Sequence, residues 1–132
     1  MESYSQLEEA VFVTPKMLVV DDDENLRELY RLELEAEGYN VDPAADAYAA
    51  IEMLQHTCYD VIIVDARIPG MLGIDLLQKL IALNRHQPLI LNTSYRYYRQ
   101  NFLAWPASTC VVKSYSTNEL KQAIKSKLEA KA

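Results

Sequence analysis

At 132 residues the chain has the length of one domain, enough to bury a core without disulfide or metal staples. Half of the residues are hydrophobic and 24% are charged, which excludes a disordered chain, and a net charge of −6 argues against a nucleic-acid-binding surface. Two cysteines are too few for a disulfide framework or a zinc centre, and neither a membrane-length apolar stretch nor a basic-then-apolar leader is present, so the cytoplasm is the expected compartment.

Residues 1–16 read as an N-terminal extension, in which Leu7, Ala10 and Val11 mark at most a short amphipathic turn. From Met17 the pattern alternates strand and helix, so 17–130 reads as one α/β domain. Met17-Leu18-Val19-Val20 is a buried strand that runs into Asp21, Asp22 and Asp23. The spacing of Leu26, Leu29, Tyr30 and Leu34 predicts a helix over 24–37, capped by Gly38. A short strand over 40–42 ends at Pro43, and a second helix follows from Asp46 with Ala47, Ala50, Ile51 and Leu54 inward. His56 falls in the connection after it as a surface residue. Val61-Ile62-Ile63-Val64 is a second buried run, ending in Asp65, and Pro69-Gly70 marks a turn in the loop 66–73. A third helix carries Leu76, Leu77, Leu80 and Ile81. Leu89-Ile90-Leu91 leads through Asn92 to Thr93, preceded by His86, another surface position. A short fourth helix over 97–104 stops before Pro106. Cys110-Val111-Val112 leads to Lys113, with Cys110 as a small core residue. Ser116 and Glu119 open a fifth helix that buries Leu120, Ala123, Ile124 and Leu128 and leaves Lys121, Lys125, Lys127 and Lys131 on a solvated face.

Apolar runs without polar alternation are the mark of parallel strands buried on both faces, and ligands of open parallel sheets bind beyond the carboxyl ends of the strands. That rule gathers Asp21, Asp22, Asp65, Thr93 and Lys113 at one sheet edge. Carboxylates crowded there repel one another unless a cation stands among them. Mg²⁺ suits such a site, because it takes oxygen ligands and keeps waters or phosphate oxygens in its remaining positions. A carboxylate can attack phosphorus, the Thr93 hydroxyl can donate to a phosphoryl oxygen, and a Lys opposite the metal neutralises charge.

The set Leu18-Val19-Val20-Asp21-Asp22, Asp65 followed by Pro69 and Gly73, Thr93, and Val111-Val112-Lys113 resembles the receiver domain of two-component response regulators over about 17–128. The resemblance implies a flavodoxin-like fold: a doubly wound five-stranded parallel sheet of order 2-1-3-4-5 flanked by five helices. It also implies that Asp65 is the phosphoacceptor and that Mg²⁺ is held by Asp22, Asp65, the backbone carbonyl of Arg67 and, directly or through water, Asp21. Thr93 would be the switch hydroxyl and Lys113 its ion-pair partner. Implied partners are a sensor histidine kinase or phosphotransfer protein, a downstream protein target and, as a candidate, a second copy in a homodimer, with no nucleic acid and no membrane. The expected role is that of a switch rather than a turnover enzyme, with slow autodephosphorylation only. Asp23 has no family role and is expected to be solvated or to lie at the first helix N-terminus.

Four features depart from the family. Ser114 stands where a proline with a cis bond is usual, and a cis bond before Ser is much costlier, so a trans bond is expected. Cys110 replaces the aromatic switch residue, Leu72 an acidic residue, and Trp105-Pro106 falls in a segment about two residues short. Tyr95, Tyr97, Tyr98 and Trp105, interleaved with Arg96 and Arg99, fit a protein–protein surface on the face formed by the fourth helix, fifth strand and fifth helix, while Phe102 reads as core. A single-stranded nucleic-acid reading of that patch conflicts with the acidic charge. Of the alternatives, an aspartyl-nucleophile phosphohydrolase would want an acid at Arg67, and a flavin or nucleotide site would be repelled by Asp21-Asp22-Asp23-Glu24. An interaction module that is not regulated by phosphorylation stays open through Ser114 and Cys110.

Overall fold

The computed structural model describes residues 14–65, 67–68, 71–72, 88–93, 108–113 and 116–131. The strands are β1 (Lys16–Val20), β2 (Asn40–Ala44), β3 (Val61–Val64), β4 (Arg67–Ile68), β5 (Met71–Leu72), β6 (Leu89–Thr93) and β7 (Ser108–Val112). The described helices are α1 (Glu24–Ala36), α2 (Ala47–His56) and α3 (Asn118–Lys131). The predicted third and fourth helices, most of the 1–16 extension, His86, Ser114 and the 95–105 aromatic segment lie outside the described residues.

Five strands pair in the order β2-β1-β3-β6-β7, all parallel, in the flavodoxin-like arrangement. Val19 stands beside Pro43 on one side and Ile63 on the other, and Ile63 beside Ile90. The chain leaves β1 in one direction for β2 and returns past it to β3, so the strand order reverses between β1 and β3. Alternation along the strands divides the core into two layers. Leu18, Val20, Ile62, Val64, Leu89 and Leu91 pack with Ala47 and Ala50 of α2. Met17, Val19, Ile63, Ile90 and Val111 pack with Tyr30 and Leu34 of α1 and with Leu120 and Ile124 of α3. Burial on both faces explains why these strands carry no polar alternation.

Local chemistry starts and stops the helices. The Asp23 side chain accepts from Asn25 N (2.9 Å) and Leu26 N (3.2 Å), and is the N-cap of α1. At the other end Gly38 takes φ +95°, Gly38 N donates to Glu35 O and Tyr39 N to Leu34 O, which is a Schellman cap. Asp46 caps α2 by accepting from Ala49 N at 2.8 Å, and Ser116 Oγ accepts from Asn118 N at the mouth of α3. A two-residue hairpin of β4 and β5 brackets Pro69-Gly70, whose own placement is outside the described residues.

Four expectations need correction. Strand β2 does not end at Pro43: Asn40 N donates to Pro15 O and Ala44 O accepts from Asp21 N, so the even residues face β1 and Pro43 faces the open edge. A proline that would donate outward costs an edge strand nothing. Leu29 is 41% exposed, because α1 turns only Tyr30 and Leu34 fully inward. His56 is the last residue of α2 rather than part of a connection, though it is exposed as expected. Lys121 is not simply solvated; its Nζ reaches Glu33 at 2.9 Å and Glu37 at 3.5 Å, tying α3 to α1. Lys127 is half-buried, and burial lowers its pKa. For Cys110 the backbone position, paired with Leu91, is what is described.

Candidate functional site

The carboxyl ends of β1 and β3 lie side by side, so the residues that follow them meet at the point of strand-order reversal. Asp65 N donates to Val20 O at 2.9 Å, which carries the ladder one step past the strands and holds Asp65 against the end of β1. Asp21 is 2% exposed and Asp65 8%, whereas Asp22 is exposed at the rim. One carboxylate oxygen from each of the three lies within 4.8 Å of the others. Such an all-oxygen set, open on one side, fits a hard divalent cation that retains waters.

Lys113, the first residue after β7, reaches across β6 into this cluster. Its Nζ donates to Asp21 Oδ2 at 2.7 Å and to Asp65 Oδ2 at 3.0 Å. Burial alone would lower the Lys113 pKa, but the hydrogen bonds to Asp21 and Asp65 outweigh it and raise the pKa. The ammonium therefore stands among the carboxylates rather than only opposite a metal, and itself neutralises them. Asp21 is further fixed by its Oδ1, which accepts from Asp23 N at 2.9 Å, and by its carbonyl, which accepts from Arg27 Nη1 at 2.7 Å.

Thr93 closes β6 with its backbone beside Val112, one residue before Lys113, so its position joins the same edge. Arg67 opens β4, two residues after Asp65. The structure thus brings the side chains of Asp21, Asp22, Asp65 and Lys113 together and sets the backbone of Thr93 at the same sheet edge. Tyr95, Tyr97, Tyr98 and Trp105 lie outside the described residues.

Three residues were missed as site elements. Arg27 gave no signal beyond helix composition. Tyr30 passed for an ordinary core residue and Asn92 for a spacer, although a polar residue at the end of a buried run was a usable sign. Both are buried, 5% and 3% exposed. Burial raises the Tyr30 pKa; the polar Asn92 side chain and the charge of Lys113 oppose that rise, while the charges of Asp21 and Asp65 add to it.

The family model for the response regulator receiver domain matches residues 17–125. The chain is 37% identical over 118 residues to the phosphate regulon transcriptional regulatory protein PhoB of Rhizobium meliloti, covering 86% of this chain and 52% of that protein. It spans about half the length of the curated relatives it matches at this level. Among solved structures it is similar to the response regulator TrrA of Thermotoga maritima in complex with Mg²⁺-BeF, with a TM-score of 0.82 at 36% identity over 87% of this chain and 100% of that one. TrrA in complex with the histidine kinase ThkA gives a TM-score of 0.81 at 36% identity, over 87% of this chain and 99% of that one. With the acidic cluster and its lysine at the strand-order reversal and the family pattern over residues 17–125, the chain belongs to the response regulator receiver domain family.

Proposed function

We propose that the chain is the phosphoacceptor switch of a histidine kinase-to-aspartate phosphorelay, phosphorylated on Asp65. The observation that supports this most is the convergence of Asp21, Asp22, Asp65 and Lys113 at the ends of three different strands. Asp65 Oδ attacks phosphorus in line with the donor's departing atom; the Asp65 O–P bond forms as the N–P bond of a phosphohistidine, or the O–P bond of an acyl phosphate, breaks and the electron pair leaves with the donor. Lys113 holds the charge that gathers on the phosphoryl oxygens, and Thr93 donates its hydroxyl to one of them. Bound Mg²⁺ would supply further charge neutralisation at those oxygens. Asp22, Asp65, the Arg67 carbonyl and, directly or through water, Asp21 would hold it.

Residues 17–130 form the receiver unit of this reading, with 1–16 as an extension and the full complement of five helices around the sheet. The signal leaves through the surface that carries Tyr95, Tyr97, Tyr98 and Trp105 to a downstream protein. The phosphoryl donor is a sensor histidine kinase or phosphotransfer protein, in keeping with the kinase complex of TrrA, and the chain itself acts in the cytoplasm. Among the described residues no helix is long and apolar enough to cross a membrane. Incubation with Mg²⁺ and acetyl phosphate, read by intact mass, should add one phosphoryl group to the wild type and none to Asp65→Asn. Equal gain in the variant overturns the assignment.

A further inference from the structure

Asp22 is the one carboxylate of the cluster whose side chain has no hydrogen bond or ion pair among the described residues, and it is exposed. Its aim therefore depends on its own two soft dihedrals, because the peptide planes on either side of it are rigid. Each of those planes is held by one hydrogen bond. The plane between Asp21 and Asp22 is held at its oxygen, which accepts from Arg27 Nη1 at 2.7 Å. The plane between Asp22 and Asp23 is held at its N–H, which donates to Asp21 Oδ1 at 2.9 Å. Asp21 is a firm base for both, since its N donates to Ala44 O at 3.1 Å and its Oδ2 accepts from Lys113. Arg27 is firm in turn: its N donates to Asp23 O at 2.9 Å in the first turn of α1, which the Asp23 side chain caps. With a plane fixed on each side, the φ and ψ of Asp22 are fixed too.

We propose that Arg27 is a positioning residue whose guanidinium, through the Asp21 carbonyl, fixes the backbone of Asp22 and so presents the Asp22 carboxylate to a divalent cation beside Asp65. The part concerning the cation rests on the function proposed above; the fixing of Asp22 does not. Arg27 and Lys113 act in opposite senses. The Lys113 ammonium occupies carboxylate oxygens that a metal would take, whereas Arg27 bonds a carbonyl outside the proposed ligand set, so its removal frees no ligand oxygen. A guanidinium near the site also repels a metal ion, so a role through charge alone predicts tighter Mg²⁺ binding without it. Positioning predicts the reverse. Away from the loop Arg27 lines an open cavity of about 420 Å³ with Glu24, Glu28 and Pro43, so shortening it admits water rather than leaving a void in the core.

The test compares wild type with Arg27→Met, Arg27→Lys and Gly38→Ala in the complete chain. Arg27→Met removes the guanidinium, and Arg27→Lys keeps the charge but not the planar fork. Gly38→Ala lowers stability at the far end of α1 without touching the loop. The first readout is the backbone ¹⁵N order parameter of Asp22 in chelator-treated protein, roughly 0.85 for a rigid backbone and below about 0.6 for a flexible one. We expect the rigid value in wild type and Gly38→Ala and the flexible one in Arg27→Met. The second readout is Mg²⁺ affinity by calorimetry, expected to weaken roughly tenfold in Arg27→Met, less in Arg27→Lys and not at all in Gly38→Ala. An Asp22 that is flexible in the wild type, or rigid in folded Arg27→Met, overturns the proposal. So does Mg²⁺ binding by Arg27→Met that matches or exceeds the wild type, or an equal change of both readouts in Gly38→Ala. If Arg27→Met does not fold, Arg27→Lys decides, and wild-type values of both readouts there overturn the proposal. A wild type that binds no Mg²⁺ would instead overturn the proposed metal site, and the order parameter would still decide the role of Arg27.

Discussion

Replacing Lys113 by Met keeps the length of the stem and removes the ammonium. The Lys113, Asp21 and Asp65 side chains are 13%, 3% and 10% exposed, so both ion pairs, at 2.7 and 3.0 Å, are shielded from water. Taking one partner from a buried pair leaves uncompensated charge and costs about 3–5 kcal/mol. Here two carboxylates lose the same cation, so we expect the upper part of that range in chelator at neutral pH, a fall in melting temperature on the order of 10 °C or more. The deficit should shrink at low pH, where protonation removes the unpaired charge. It should also shrink in Mg²⁺, because the ion replaces the lost cation and no longer shares Asp65 with an ammonium. At a hundred times its Kd a ligand adds about 2.7 kcal/mol, and the variant's Kd should lie below that of the wild type. Urea unfolding with and without chelator, together with calorimetry, measures all of this. A variant as stable as wild type without metal, or one with unchanged Mg²⁺ affinity, would refute the idea that ammonium and metal neutralise the same carboxylates. In the wild type the Lys113 pKa is raised by folding. Its contribution is therefore complete below the ordinary lysine range and is lost only as pH climbs through the folded value above it.

Asp22→Ala should weaken Mg²⁺ binding markedly in calorimetry while leaving metal-free stability unharmed or improved, since Asp22 is an exposed member of a like-charged cluster. Thr93→Ala should bind beryllofluoride with Mg²⁺ nearly as the wild type does, yet lose most of the Trp105 fluorescence shift that we expect binding to produce; a full shift would mean the coupling bypasses Thr93. Gly38→Ala should cost about 1–2 kcal/mol in urea unfolding although nothing stands within 4 Å of an added Cβ, because φ +95° is itself strained for an L side chain.

The apolar runs, the helix starts near Asp23 and Asp46 and the Gly38 stop were legible in the sequence because each depends on neighbours within a few residues, whereas the capping bonds of Asp23 and Asp46 are read from the structure. The meeting of carboxylates was legible at one remove, since in a parallel sheet strand ends that share a direction share an edge. The rest depended on which elements touch. Whether Pro43 could stay in a strand depended on β2 lying at the edge. The apolar spacing of α1 marked an arc wider than the sheet covers, and only packing chose Tyr30 and Leu34 over Leu29. Lys121 needed α1 beside α3 to find Glu33, 88 positions away. Above all, Lys113 bonds Asp21 across 92 positions and Asp65 across 48. Sequence placed all three at strand ends, but the ammonium settles between those two carboxylates because the side chains of their strands alternate onto one face. Alternation is a local property, whereas the face it selects becomes a site only when the sheet sets four strands side by side.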